Sequence, residues 1–358
     1  MSKSITTEIL PENLLEHRAV KAWSQLEPER IEPETIAVLK LTRNKSAVYR
    51  MSGVGPTGAA VVAKRCRKTT AMVERLIYEA VLSHLSLPAL DCYGFVPEPG
   101  GEFCWLFLED AGTHQYSPDN PEHRGLAGRW LAAVHRAARV AGLQAELPDR
   151  GLSHYLQRLR TSRSALLGRT GNPVLSAADV ALLQTVVTQF DMIEAHWAEM
   201  ERFSDGLPPT LVHGDFVLRN LRIRLGANCL ELLVYDWEMA GWGFPGTDLA
   251  QVDRCARADL DAYYSVARQD FPQLEFRDIQ RLANYGNLLR VVDEIYWATL
   301  FMVRDAYKSL LKPLQMIGKY EAQIAASLRA VNWGSAVGGT QAPRAGLTTS
   351  AAKTNRAT

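Results

Sequence analysis

The chain has 358 residues, with 40 Lys and Arg against 39 Asp and Glu, and 47% of its residues are apolar. That length suits one large or two ordinary domains, and the balanced charge excludes a global basic field for nucleic acid or anionic lipid. Five cysteines, none spaced C-x-x-C, speak against a disulfide frame or zinc site; with no signal-peptide pattern and no apolar run near the ~20 residues of a membrane span, a soluble cytoplasmic protein without a membrane partner is expected.

Residues 11–26 read as a short amphipathic helix, with Leu14, Leu15, Val20 and Trp23 on its apolar face. Strands are expected at Ile36–Leu41, Ala47–Met51 and Ala59–Lys64, separated by Thr42–Ser46 and by the Gly/Pro turn at 53–58. The spacing predicts a helix over Thr70–Leu85, then strands around Asp91–Val96 and Phe103–Leu108. A Lys ending an apolar strand, with a Glu on the next helix, can form an ion pair that holds the Lys against nucleotide phosphates. Lys64 is that lysine, but periodicity alone does not choose between Glu74 and Glu79.

From about Glu122 the chain reads as mostly helical, so the division falls near residue 113. His135 ends an apolar helix face and reads as a packed helix histidine. Helices are expected at His154–Leu167 and Ala177–Arg202, the second opened by the capping-box pair Ser176 and Asp179. After Gly241–Gly246, Thr247 is placed to cap a helix beginning at Asp248. Another long helical region is expected over Asp278–Val331, and the small, polar residues 334–358 read as a disordered tail.

The densest chemistry lies in Leu211–Asp248. His213-Gly214-Asp215 is followed by Asn220, then by alternating segments at Leu221–Arg224 and Leu230–Val234 around a Gly226-Ala227-Asn228 turn, then by Asp236. An antiparallel hairpin returns its far end beside its start, so Asn220 and Asp236 should meet, with Asp215 on the entering loop. Asn and Asp oxygens suit Mg²⁺ that carries substrate phosphates, and a metal-free carboxylate beside them suits a general base. This is the layout of a phosphoryl-transfer site.

The pattern H-G-D-x-x-x-x-N followed by a strand-terminal Asp resembles the aminoglycoside phosphotransferase and choline kinase-like family of small-molecule kinases. Ala63-Lys64, Tyr78-Glu79-Ala80, Trp105–Glu109 and Leu131–His135 match further family landmarks in order, so the resemblance spans roughly residues 35–330. It implies an α+β, protein-kinase-like bilobal fold, with a small antiparallel-sheet lobe and a mostly helical lobe. The expected divisions are a helical extension (1–30), a nucleotide-binding lobe (31–113), a catalytic and acceptor lobe (114–333) and the tail (334–358).

The implied activity is transfer of the γ-phosphate of ATP (or GTP), with Mg²⁺, to a hydroxyl of a small molecule. By resemblance Asp215 is the base, Asn220 and Asp236 hold the metal, and Lys64 contacts phosphates and pairs with Glu79. Leu108–Asp110 holds the base of the nucleotide, Ser46 touches phosphate, and Asp248 supports the HGD loop. Two stretches mix acidic and aromatic groups, Trp237–Trp242 and Asp293–Trp297. Trp237, Trp242, Asp293, Glu294 and Trp297 are therefore expected to line a site for a cationic acceptor, an aminoglycoside-like sugar or an amino alcohol.

Two features depart from protein kinases: residues 43–46 contain no glycine-rich loop, and no A-P-E landmark is present. The alternatives are an atypical protein kinase and a catalytically silent nucleotide-binding or regulatory protein. Nothing in the sequence bears on oligomeric state.

Overall fold

The computed structural model describes residues 8–9, 13–27, 32–42, 46–137, 142–227, 229–302, 306–331 and 333. Residues 43–45, Asn228, Asp305 and the tail at 334–358 lie outside them. The N-terminal part contains β1 (Glu8–Ile9), α1 (Arg18–Trp23), β2 (Thr35–Thr42), β3 (Ser46–Ser52), β4 (Val61–Arg67), α2 (Lys68–Ala80), β5 (Cys92–Pro97) and β6 (Phe103–Glu109). Its strands form one antiparallel sheet in the order β1-β2-β3-β4-β6-β5.

The two-residue period of the strands separates the faces of this sheet. Tyr49, Met51, Ala63, Trp105 and Phe107 pack on one side against Ala19, Val20 and Trp23 of α1. The helix expected at 11–26 is thus shorter, a 3₁₀ turn at Leu14–Glu16 followed by α1, and it covers the outer face. Lys64, Cys66, Leu106 and Leu108 alternate with that set and face α2, where Ala71, Ile77 and Tyr78 meet the sheet.

The C-terminal part is helical: α3 (Pro121–Ala137), α4 (Leu152–Arg169), α5 (Ala177–Ala195), α6 (Trp197–Ser204), α7 (Leu260–Ala267), α8 (Phe276–Leu300) and α9 (Tyr307–Val331). Short strands β7 (Asp149–Arg150), β8 (Thr210–Val212) and β11 (Gly241–Gly243) join in the order β7-β11-β8, and β9 (Leu221–Leu225) pairs with β10 (Leu230–Val234) as the expected hairpin. The fold is α+β, an antiparallel N-terminal sheet and a helical C-terminal part.

Three expected helices differ. Ala177–Arg202 breaks at His196, whose backbone (φ −101°, ψ 10°) leaves the helical range, and Asp278–Val331 divides into α8 and α9. No helix begins at Asp248. Its carboxylate is spent on the HGD loop, and the following segment pairs with that loop instead. Leu218 N–H donates to the Arg254 carbonyl at 3.0 Å and Ala256 N–H to the Phe216 carbonyl at 3.2 Å. Backbone groups satisfied by a neighbouring strand need no helix. Among the described residues, no helix is long and apolar enough to cross a membrane.

Candidate active site

β8 leads into His213-Gly214-Asp215. Gly214 has φ +72°, and a Cβ there would collide with the Met239 carbonyl, so the turn requires glycine. Asp248 accepts hydrogen bonds from the His213 N–H at 2.6 Å and the Gly214 N–H at 3.0 Å. His135 lies behind it, with Nε2 3.4 Å from the same carboxylate and Nδ1 3.0 Å from the Tyr263 hydroxyl. Asp248 thus holds the HGD loop, and the packed His135 helps hold Asp248. His213 Nε2 donates to the Tyr235 carbonyl at 3.1 Å while its Nδ1 accepts from Asp215 N–H at 3.3 Å. The imidazole therefore ties the loop to the end of β10.

Asp215 is buried. Its Oδ1 accepts from Arg290 Nη2 at 2.9 Å, and its Oδ2 from Asn220 Nδ2 at 3.0 Å and from Arg219. Burial pushes the carboxyl pKa up, but Arg290, then Arg219, outweigh it and hold the group below the usual carboxylate range. Neither arginine was expected at the site. Arg219 stands four residues after Asp215, a local spacing that could have flagged it. Arg290 lies 75 residues away on α8, where no local pattern marks it.

The hairpin register pairs Val234 with Leu221, and Tyr235 N–H donates to the Asn220 carbonyl at 3.2 Å. Asn220 and Asp236 therefore stand at the same end of the hairpin. Asn220 Nδ2 donates to Asp215 twice, to its carbonyl at 2.9 Å and its carboxylate at 3.0 Å. That leaves the amide oxygen as the atom that could ligate a metal. Asp236 is left-handed (φ 67°, ψ 58°), a conformation that costs on the order of 1–3 kcal/mol and that clusters at functional sites. Among the described residues, no three His, Cys, Asp or Glu side chains could close around a metal. A two-ligand Asn/Asp pair fits Mg²⁺, which keeps waters and phosphate oxygens in its shell.

Lys64 Nζ is buried and bonds Glu74 Oε1 at 2.6 Å, bonds Asp236 Oδ1, and lies 3.8 Å from Glu238 Oε2. Burial lowers the Lys64 pKa, but these carboxylates hold it well above the ordinary lysine value. The expected Lys64–Glu79 pair does not form. Glu74 takes its place because Ala71, Glu74, Ile77 and Tyr78 share the buried face of α2. Glu79 lies on the face of exposed Met72 and pairs with Arg75 at 2.9 Å. Met72 is apolar but solvent-facing, so apolar spacing by itself does not mark the buried face of α2. Burial pushes the Glu74 carboxyl up to about 7 against the pull of Lys64. Asp236 is held low instead: burial raises it, and Lys64 outweighs the burial.

Ser46 begins β3 and shares a face with Val48, the cross-strand partner of Lys64. Leu108 is buried in β6, and Asp110 follows the end of that strand, paired with Arg50 at 2.6 Å and accepting the Gly112 N–H at 3.1 Å. Open cavities of about 870 and 760 Å³ beside α2 and the sheet contain none of Asp215, Asn220 or Asp236.

The expected acceptor residues are arranged differently. Trp237 is a core residue, its ring centroid 4.6 Å from that of His213 and 5.9 Å from that of Trp130, so it lines no pocket. Trp242 sits in β11 between Leu211 and Asp149, with its indole N–H buried. Asp293 is buried against Arg158, whose guanidinium also lies over Tyr296 (4.7 Å) and Trp297 (5.4 Å). Glu294 bonds Arg290 at 2.5 Å and the Tyr320 hydroxyl at 2.9 Å. The expected cationic cage is already filled by the chain's own arginines.

A family model described as the phosphotransferase enzyme family matches residues 46–282. No curated protein matches in sequence. Among solved structures, one of aminoglycoside 2′-phosphotransferase-IIIa with GDP is similar at 12% identity and TM-score 0.58, over 87% of this chain and 99% of that one. A spectinomycin phosphotransferase with ADP and spectinomycin is similar at 9% identity and TM-score 0.56, over 84% and 94%. An ethanolamine kinase of Plasmodium vivax is similar at 12% identity and TM-score 0.51, over 82% of each chain. These likenesses establish a shared fold, while the match over most of the sequence establishes kinship. The chain belongs to the phosphotransferase enzyme family and is an enzyme of the small-molecule kinase class.

Proposed function

We propose that the protein transfers the γ-phosphate of ATP or GTP, with Mg²⁺, to a hydroxyl group of a small molecule. One observation carries this reading: Asp215, Asn220 and Asp236 converge at one end of the β9–β10 hairpin, facing Lys64 held by Glu74. ADP and GDP in solved structures of the same fold support a nucleotide ligand. Asn220 and Asp236 would hold Mg²⁺, which supplies charge neutralisation to the phosphates. Lys64 faces the same phosphates as an ammonium fixed by carboxylates. Asp215 orients the acceptor hydroxyl and takes its proton. Its depressed pKa makes positioning the larger part of that work.

Residues 31–113 would form the nucleotide lobe and 114–333 the acceptor lobe. The strand end at Leu108–Asp110 would meet the base of the nucleotide, Ser46 would touch phosphate, and a cytoplasmic site of action fits a nucleotide-dependent enzyme. A catalytically silent reading has one observation in its favour, since both oxygens of Asp215 are already engaged by arginines. ADP release from Mg·ATP and Mg·GTP against a panel of sugars, amino alcohols and hydroxy acids tests the proposal. Turnover with at least one acceptor is expected. Tight Mg·ATP binding without turnover on any acceptor would favour the silent reading.

A further inference from the structure

We infer that the acceptor carries an anionic group, a carboxylate or phosphate, near the hydroxyl that is phosphorylated. The inference rests on the kinase reading and names the substrate class of the same site. Among the described residues three guanidiniums cluster around Asp215 and its neighbour Glu294: Arg219 and Arg290 pair with Asp215, and Arg254 lies near Glu294. Two carboxylates face them, Asp215 and Glu294. Arg290 bridges both, at 2.9 Å and 2.5 Å, and its side chain is only 10% exposed. The heads of Arg219 and Arg254 are 53% and 49% exposed.

Arg254 reaches Glu294 only at 3.9 Å and the Tyr320 hydroxyl at 3.4 Å, so its fork is largely free for a ligand. The neighbouring Asp253 and Lys319 form their own pair at 3.7 Å and change no net charge. The loop that presents Arg254 is held against the catalytic loop by the Leu218–Arg254 and Ala256–Phe216 backbone bonds.

Among the described residues, the two carboxylates offered by α8 beside Asp215 are already engaged. Glu294 is saturated by Arg290 and Tyr320, and Asp293 is closed off by Arg158. Two half-exposed forks, Arg219 on Asp215 and Arg254 near Glu294, match the bidentate geometry of a carboxylate or phosphate. An arriving anion would also draw Arg219 from Asp215 Oδ2 and open a lone pair there for the hydroxyl, with the Asn220 bond retained.

Calorimetry on the full chain, with and without saturating Mg·ADP, tests this with malate and inorganic phosphate as anionic probes and choline as the cationic one. Saturable binding of an anion, at least about tenfold tighter than choline, is expected. Arg254→Gln and Arg219→Gln should each weaken anion binding by about tenfold without changing Mg·ADP affinity. Tighter binding of choline, no saturable anion binding, or anion affinity unchanged in both variants overturns the inference. In turnover of Arg254→Gln with a hydroxy-acid acceptor, a drop in kcat at constant KM would also overturn it, since that arginine would then serve the transferred phosphoryl group. Failure of Mg·ADP to bind would sink the kinase reading itself, whereas Mg·ADP binding without anion binding sinks only this one.

Discussion

Two charge clusters of opposite sign meet at the site. Around Asp236, the Lys64 ammonium is surrounded by Glu74, Asp236 and Glu238. Around Asp215, Arg219 and Arg290 pair with the carboxylate, and Arg290 and Arg254 lie against Glu294. The first cluster is short of positive charge, which under the proposed function a divalent cation would bring; the second is short of negative charge, which an anionic acceptor or the migrating phosphoryl group would bring. Each half is electrostatically complete only with its ligand, and buried or half-buried groups make the imbalance count more than it would in water.

The sharpest way to break the comparison is Asp215→Asn, which removes the carboxylate that Arg219 and Arg290 share. Turnover should fall by about 10²–10⁴. Mg·ATP affinity should stay near wild type, because Lys64, Asn220 and Asp236 remain. Steady-state kinetics paired with calorimetry check both halves of that statement, and equal loss of nucleotide binding would show that the two sides are not separable.

Next in size is Glu74→Gln. Removing one partner of a buried pair costs about 3–5 kcal/mol when the other charge is left uncompensated, but here Lys64 keeps Asp236 and the Glu74 carboxyl, raised to about 7, is only partly charged at neutral pH. Urea denaturation should therefore show a smaller loss, about 1–3 kcal/mol, from the hydrogen bond to Lys64, with weaker nucleotide binding. A stability unchanged from wild type would return the helix glutamate to the undecided state in which periodicity left it.

A smaller effect concerns pH. The native pKa of Asp215 is lowered, chiefly because Arg290 and Arg219 overcome the cost of burial. The stability it contributes is therefore fully present above its unfolded value of about 3.9, and is lost as pH falls through the lower native value. The stability gap between wild type and Asp215→Asn should stay constant from neutral pH to about 4 and then shrink. A gap that closes already near pH 6 would contradict the arginine pairing.

The smallest effect is the control. Glu79→Gln touches only an exposed pair with Arg75, so stability should change by no more than about 0.5 kcal/mol and activity not at all. A strong loss of turnover in that variant would restore Glu79 as the partner of Lys64.

What could be read from the residues was local. The alternation over Leu221–Val234 predicted the hairpin, and a hairpin necessarily brings Asn220 to the end that Asp236 leaves. Glycine in His213-Gly214-Asp215 answered to a turn that no other residue fits. The capping box of Ser176 and Asp179 was equally legible, since both partners lie within one helical turn. The strands β7, β8 and β11 escaped notice because two or three residues are too few to display a period.

The sequence by itself determined that Asp215, Asn220 and Asp236 meet, because they are joined by a turn and one hairpin whose geometry follows from short-range rules. Tertiary structure alone decided which glutamate reaches Lys64. Helix rotation against the sheet is set by the whole buried face of α2, and the exposed apolar Met72 leaves that face ambiguous in the spacing alone. Tertiary structure also decided the charge of the acceptor side. Whether Asp293 and Glu294 are free carboxylates depends on Arg158 and Arg290, and the first of these comes from another helix, α4. Coulomb interactions act through space at a few ångströms, and no spacing along the chain encodes which charges will meet across it.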